Sequence, residues 1–182
     1  MAASAAVPGL IGPVVYRPGW GSAKTLHLWD GGVYDNAGME VLFKPTGGFQ
    51  KDIDRLYVSD GGAKIGWAEK KLFRSWLRLV DIPRSQVRGL RSRIFIKHLI
   101  DNPKSGGYLQ IGNTVGYIFK KAGLQADDSH VPGSMHASDV KDVAEFPTTL
   151  RKVSDDEFNS IMRHGYEVCN ATFHGYLDGD YK

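Results

Sequence analysis

Little in this chain is built for cross-linking or for spanning a bilayer. One cysteine, Cys169, stands among 182 residues, which excludes an internal disulfide and fits a reducing compartment. No apolar run approaches the roughly 20 residues that a membrane-spanning helix needs. The opening MAASAAVPGLIGPVV is apolar, but it lacks a basic n-region and is interrupted by Pro8, Gly9, Gly12 and Pro13. It does not read as a secretion signal. Familiar site signatures are missing too. There is no Gly-x-x-x-x-Gly-Lys-Ser/Thr phosphate loop, no complete G-x-G-x-x-G and no G-x-S-x-G nucleophile turn, so nucleotide binding is disfavoured and no cofactor is expected. The polar run 125–142 gathers Asp127, Asp128, His130, His136 and Asp139. Their spacing matches no established ligand pattern, and no metal is expected.

What is present suits an ordinary globular chain: 42% hydrophobic and 24% charged residues, enough for one domain with a core. The net charge of +3 hides an asymmetry. Residues 64–104 carry eleven basic side chains against three acidic ones, a balance of +8 that the rest of the chain offsets. Such a stripe can meet the phosphates of nucleic acid or of anionic lipid head groups, or it can be a solvated helix face.

Periodicity predicts an α/β chain. Leu26 and Leu28 alternate with Thr25, His27 and Trp29, which predicts a short strand ending at Asp30. A turn at Gly31-Gly32 follows, then a helix over 36–43 capped by Asp35 or Asn36. Arg55–Ser59 reads as a second strand running into Asp60-Gly61-Gly62. Two amphipathic helices are expected on either side of Pro83, over 67–80 and 85–100, with Leu72, Trp76, Leu79 or Val80, Val87, Leu90, Ile94 and His98 turned inward and the basic residues outward. A strand at 108–111, a helix over 113–121, a loop over 125–142 and a helix opened by the capping box Ser154-x-x-Glu157 complete the pattern. Strands alternating with helices predict a mostly parallel sheet, in which functional groups sit just past strand ends, where Asp30 and Asp60 fall.

The stretch LWDGGVYDNAG, residues 28–38, carries more than a turn. Asp30-Gly31-Gly32-Val33-Tyr34-Asp35-Asn36 resembles the DG[GA] block of patatin-like phospholipases, in which the aspartate partners a serine in a Ser-Asp dyad without histidine. Ala3-Ser4-Ala5-Ala6-Val7-Pro8-Gly9 is similar to the Ser-x-Ala-x-Pro stretch that precedes this block, and Leu56–Ala63 to the strand that follows it. The three segments keep the family's order and spacing. The resemblance implies a three-layer α/β/α domain and hydrolysis of carboxylic esters in phospholipids or related acyl lipids. Asp30 would be the proton acceptor, with Gly31, Gly32 and Asn36 supporting it. The family's oxyanion loop and nucleophile segment are expected upstream of this block and are absent here. Residues 1–182 are therefore expected to be the C-terminal portion of one such domain, catalytically silent by themselves, cytoplasmic or peripheral to a membrane, and partnered by the missing N-terminal half. Anionic membrane would be touched through residues 64–104, and no nucleic acid is expected. The rival expectation is a non-catalytic basic module that docks on anionic membrane or nucleic acid through the same residues.

Overall fold

Alternation at Leu26 and Leu28 does form a strand, but its partner lies nearby in sequence. The computed structural model describes residues 6, 12–19, 24–62, 72–124, 131–147 and 151–177, with the backbone alone described along 72–81. Strand β1 (Val14–Tyr16) pairs antiparallel with β2 (Leu26–Leu28), placing Val14 opposite Leu28 and Tyr16 opposite Leu26. A second antiparallel pair joins β3 (Phe43–Lys44) to β4 (Gly48–Phe49). Parallel pairing occurs between β5 (Leu56–Asp60) and β6 (Gly106–Gln110), with Leu56 opposite Gly106. The chain is mixed α/β with a small parallel sheet. The sheet expected to be mostly parallel is parallel only at β5–β6 among the described residues. Short connections close the other two pairs as ribbons, whereas parallel strands need a long crossover.

The helices are α1 (Gly32–Asp35), α2 (Leu72–Asp101), α3 (Val115–Lys121), α4 (Ala137–Ala144) and α5 (Asp155–Tyr176). Two expectations fail here for identifiable reasons. The helix expected over 36–43 is instead the single turn α1, with Asn36 closing it rather than opening it. Gly38 at φ +65° then leaves helical space. The two helices expected around Pro83 are one helix, α2, with Pro83 inside it. A proline removes one backbone donor and crowds the preceding turn, a local cost that 30 helical residues absorb. Part of the run expected to be a loop over 125–142 is also helical, since His136 caps α4 and Asp139 lies in its first turn.

The chain divides into two compact units, Met1–Gln50 with Ile65–Phe95, and Lys51–Lys64 with Ile96–Lys182. In the first, Phe95 is completely buried, edge-on to Phe43 at 5.3 Å between ring centroids. Ser92 is buried on the same helix, while Val87 (40% exposed), Leu90 (53%) and Ile94 (39%) face outward. The expectation that these three point inward is overturned. A stripe at helical spacing shows that a face is apolar but not what covers it.

In the second unit, Val115, Ile118 and Phe119 of α3 pack against Val168 and Ala171 of α5. Met135, Val140 and Val143 form a smaller cluster against Ile111 and Ile161. The capping box at Ser154 is complete, its hydroxyl accepting from Glu157 N–H and Glu157 accepting from Ser154 N–H. Arg151 also donates to Glu157 from both terminal guanidinium nitrogens, Nη1 and Nη2. Hydrogen bonding from Arg151 first, and from Ser154, lowers the Glu157 carboxyl to about 2, so α5 keeps its cap in acid.

Two buried polar residues of α5 hold the loops beside it. Glu167 accepts from Met135 N–H with both oxygens and from Arg163 Nε, and Arg163 donates to the Gly133 carbonyl. His164, 2% exposed, accepts the Gly112 N–H at Nε2 over 3.0 Å, so this imidazole is neutral with its proton on Nδ1. Burial pushes its pKa below the ordinary 6.5, against the opposing pull of Glu167. The unfolded chain therefore takes up a proton before the folded one, and the stabilisation present above 6.5 is lost as pH falls from there toward the depressed folded value. Urea midpoints measured from pH 7.5 downward should decline through this window. A His164→Gln variant should show a shallower decline.

Candidate functional site

Both Asp-Gly-Gly triplets share one hydrogen bond. Gly32 N–H donates to Asp30 Oδ1 at 2.7 Å, and Gly62 N–H donates to Asp60 Oδ1 at 2.9 Å. Each aspartate thus closes a tight turn with the backbone two residues on. They differ at the other oxygen. Tyr108 Oη donates to Asp60 Oδ2, and Asp60 is only 8% exposed. Among the described residues nothing donates to Oδ2 of Asp30, which is half-buried. Asp60 is committed to joining β5 and β6. Asp30 retains an acceptor site.

Strand β2 delivers Asp30 to this position. Asp30 N–H donates to the Ala6 carbonyl at 3.2 Å, and Asp30 C=O accepts from Val33 N–H at 3.1 Å. Ala6, completely buried, belongs to the segment that resembles Ser-x-Ala-x-Pro, so the first two segments of the resemblance meet in the structure. Ser4, with the rest of 3–9 apart from Ala6, lies outside the described residues, as do Ser22, Ala63, Asp127, Asp128 and His130.

The two glycines serve unequal ends. A Cβ on Gly32 would stand 2.7 Å from Asn36 Oδ1 and 3.1 Å from Asp30 Oδ1. Asp30, Gly32 and Asn36 thus lie close together in one turn, and Gly32 is the place where a side chain would push on the carboxylate. Gly31 has ordinary helical dihedrals of −60° and −24° and open space where a Cβ would sit. The turn does not require glycine there, contrary to expectation.

Arg91, expected on a solvated face, anchors this turn from 57 residues away. Its Nη1 donates to the Tyr34 carbonyl at 2.8 Å and lies 3.1 Å from Asp35 Oδ1, while Nη2 lies 3.4 Å from Glu40 Oε2. The guanidinium also sits over the Tyr34 ring, 4.9 Å from its centroid. Asp35 Oδ2 accepts from Glu40 N–H at 2.6 Å, so one arginine ties together both ends of the segment after Asp30. Nothing local in the sequence marks this role. Arg91→Met should cost about 2 kcal/mol after allowance for solvent screening, because Asp35 loses its cation while Glu40 keeps Lys44 at 2.7 Å. Arg91→Lys should recover little, because an ammonium cannot reproduce the planar fork. Urea denaturation checks the first value, and hydrogen exchange at residues 33–40 locates it.

No group of three or more His, Cys, Asp or Glu side chains among the described residues could hold a metal ion. No helix among them is long and apolar enough to cross a membrane. Comparison with family models, curated proteins and solved structures finds no match for this chain.

Proposed function

We propose that this chain supplies the acid half of a Ser-Asp dyad in a patatin-like lipid acyl hydrolase, with the three-layer α/β/α domain of that family. The observation that carries the proposal is the contrast between two Asp-Gly-Gly segments with the same side-chain bond to the second glycine: Asp60 has both oxygens engaged, whereas Asp30 keeps Oδ2 open among the described residues. A serine hydroxyl is a weak nucleophile until a base removes its proton. In the proposed reaction the hydroxyl proton passes to Asp30 Oδ2 as the serine oxygen attacks the ester carbonyl. Collapse of the tetrahedral intermediate expels the alcohol, which takes that proton. Water then repeats the sequence on the acyl-enzyme. The serine and the backbone donors for the oxyanion come from a segment outside these 182 residues.

A serine-directed fluorophosphonate probe tests this. The 182-residue chain should remain unlabelled. The product of a coding sequence that continues in frame upstream of Met1 into a G-x-S-x-G segment should label stoichiometrically and hydrolyse acyl esters. Stoichiometric labelling of the chain itself, lost on Ser4→Ala or Ser22→Ala, would overturn the proposal.

A further inference from the structure

We infer that the outward face of α2 between Pro83 and Ile94 is a docking surface for an anionic lipid bilayer. The inference rests first on α2 and is independent of the hydrolase reading. Pro83, Val87, Leu90 and Ile94 recur at helical spacing and are all exposed, the reverse of what a helix packed by its apolar stripe would show. Charge supports a bilayer over a polypeptide as the occupant. From Ile82 to Ile100 the helix has five basic residues and no acidic one; Arg91 is held by Asp35 and Glu40, and Lys97 by Asp101, so the cations offered to a bilayer beside the stripe are Arg84 and Arg93. An apolar stripe bordered by arginines and lysines is the pattern of a helix lying in the interfacial plane, apolar residues among the acyl chains and cations at the phosphates.

The surface continues to the turn after Asp30. A groove is lined by Val33 and Tyr34 on one side and by Arg84, Val87 and Arg88 on the other. Tyr34 is 67% exposed and Val33 40%, so apolar side chains from the turn extend the stripe of α2. Tyrosine suits this depth, with an apolar ring and a polar tip. A chain seated on this face would bring Asp30 to the membrane surface.

Sedimentation of the full chain with phosphatidylcholine vesicles, with and without phosphatidylserine, tests the inference. Binding should require phosphatidylserine and weaken with salt. The double variant Val87→Ser/Leu90→Ser should lower partitioning at least about tenfold, given the apolar area withdrawn from the bilayer. Arg84→Gln and Arg93→Gln should each lower it about fivefold. These positions are exposed or half-exposed, and circular dichroism should show all variants folded. The inference is overturned by absence of binding at low salt, or by equal binding of Val87→Ser/Leu90→Ser. Salt-sensitive binding to duplex nucleic acid with no response to the apolar variant would mark a polyelectrolyte surface and also overturn it. So would self-association that Leu90→Ser abolishes in a chain that ignores vesicles.

Discussion

Asp30→Asn in the hydrolysis-competent protein is expected to lower kcat by about 10³–10⁴-fold while leaving the fold unchanged. The two outcomes separate because the proposed dyad gives the side chain two functions at two atoms. An asparagine oxygen still accepts the Gly32 N–H, which reaches Oδ1 at 2.7 Å, so the turn survives and stability should change by less than about 0.5 kcal/mol. That orientation leaves an amide nitrogen where Oδ2 was. An amide NH₂ donates protons and cannot take one from a serine. Asp60→Asn is the matched control. It disturbs the bond from Tyr108 at the end of the parallel pair, and should lower stability more than turnover. Steady-state hydrolysis of a chromogenic acyl ester, with melting curves for each variant, measures both. Full turnover by Asp30→Asn would remove the dyad assignment.

Gly106→Ala is expected to disrupt the second unit, with a loss of about 3–5 kcal/mol, the sum of backbone strain and steric overpacking. Gly106 lies at φ +153°, and an added Cβ would stand 1.9 Å from the Leu56 carbonyl oxygen and 2.8 Å from its carbon. Those atoms are backbone of the strand that Gly106 pairs with, so no rotamer change relieves the overlap. Either β5 leaves β6 or the start of β6 bends away. A loss of this size consumes a large part of the ~5–15 kcal/mol that holds a typical domain together. Gly89→Ala is the counterpart. Gly89 is inside α2 with open space around its would-be Cβ, and alanine there should stabilise by about 1 kcal/mol. Urea midpoints of the two variants should move in opposite directions.

Local chemistry was legible in the sequence wherever it was sufficient. Alternation around Leu26 located β2, although the strand stops at Leu28 and not at Asp30, β-rich composition located β5, and Ser154-x-x-Glu157 marked the start of α5 to the residue. The convergence of Asp30, Gly32 and Asn36 follows from their spacing in one turn. What depended on distant partners was not legible. Arg91 reaches Tyr34, Asp35 and Glu40 across the first unit, and no neighbour of Arg91 in sequence distinguishes it from Arg88. Pro83 promised a helix boundary because propensity counts a missing donor but not the turns on either side of it. The stripe on α2 was visible, but its direction was set by Phe95, whose position against Phe43 closes the opposite face.

The pairing of Leu56 with Gly106 also dictates an order of events. β5 is made long before β6, and residues 61–105 must be synthesised between them. A chain leaving the ribosome therefore carries β5 as an unpaired strand edge until β6 arrives. Closing so long a loop also slows pairing relative to the hydrogen bonds formed within α3 and within α5. β5–β6 should be the late step of folding, with α5 and its capping box already formed. Aggregation during expression should accordingly concentrate in nascent chains that stop between the two strands.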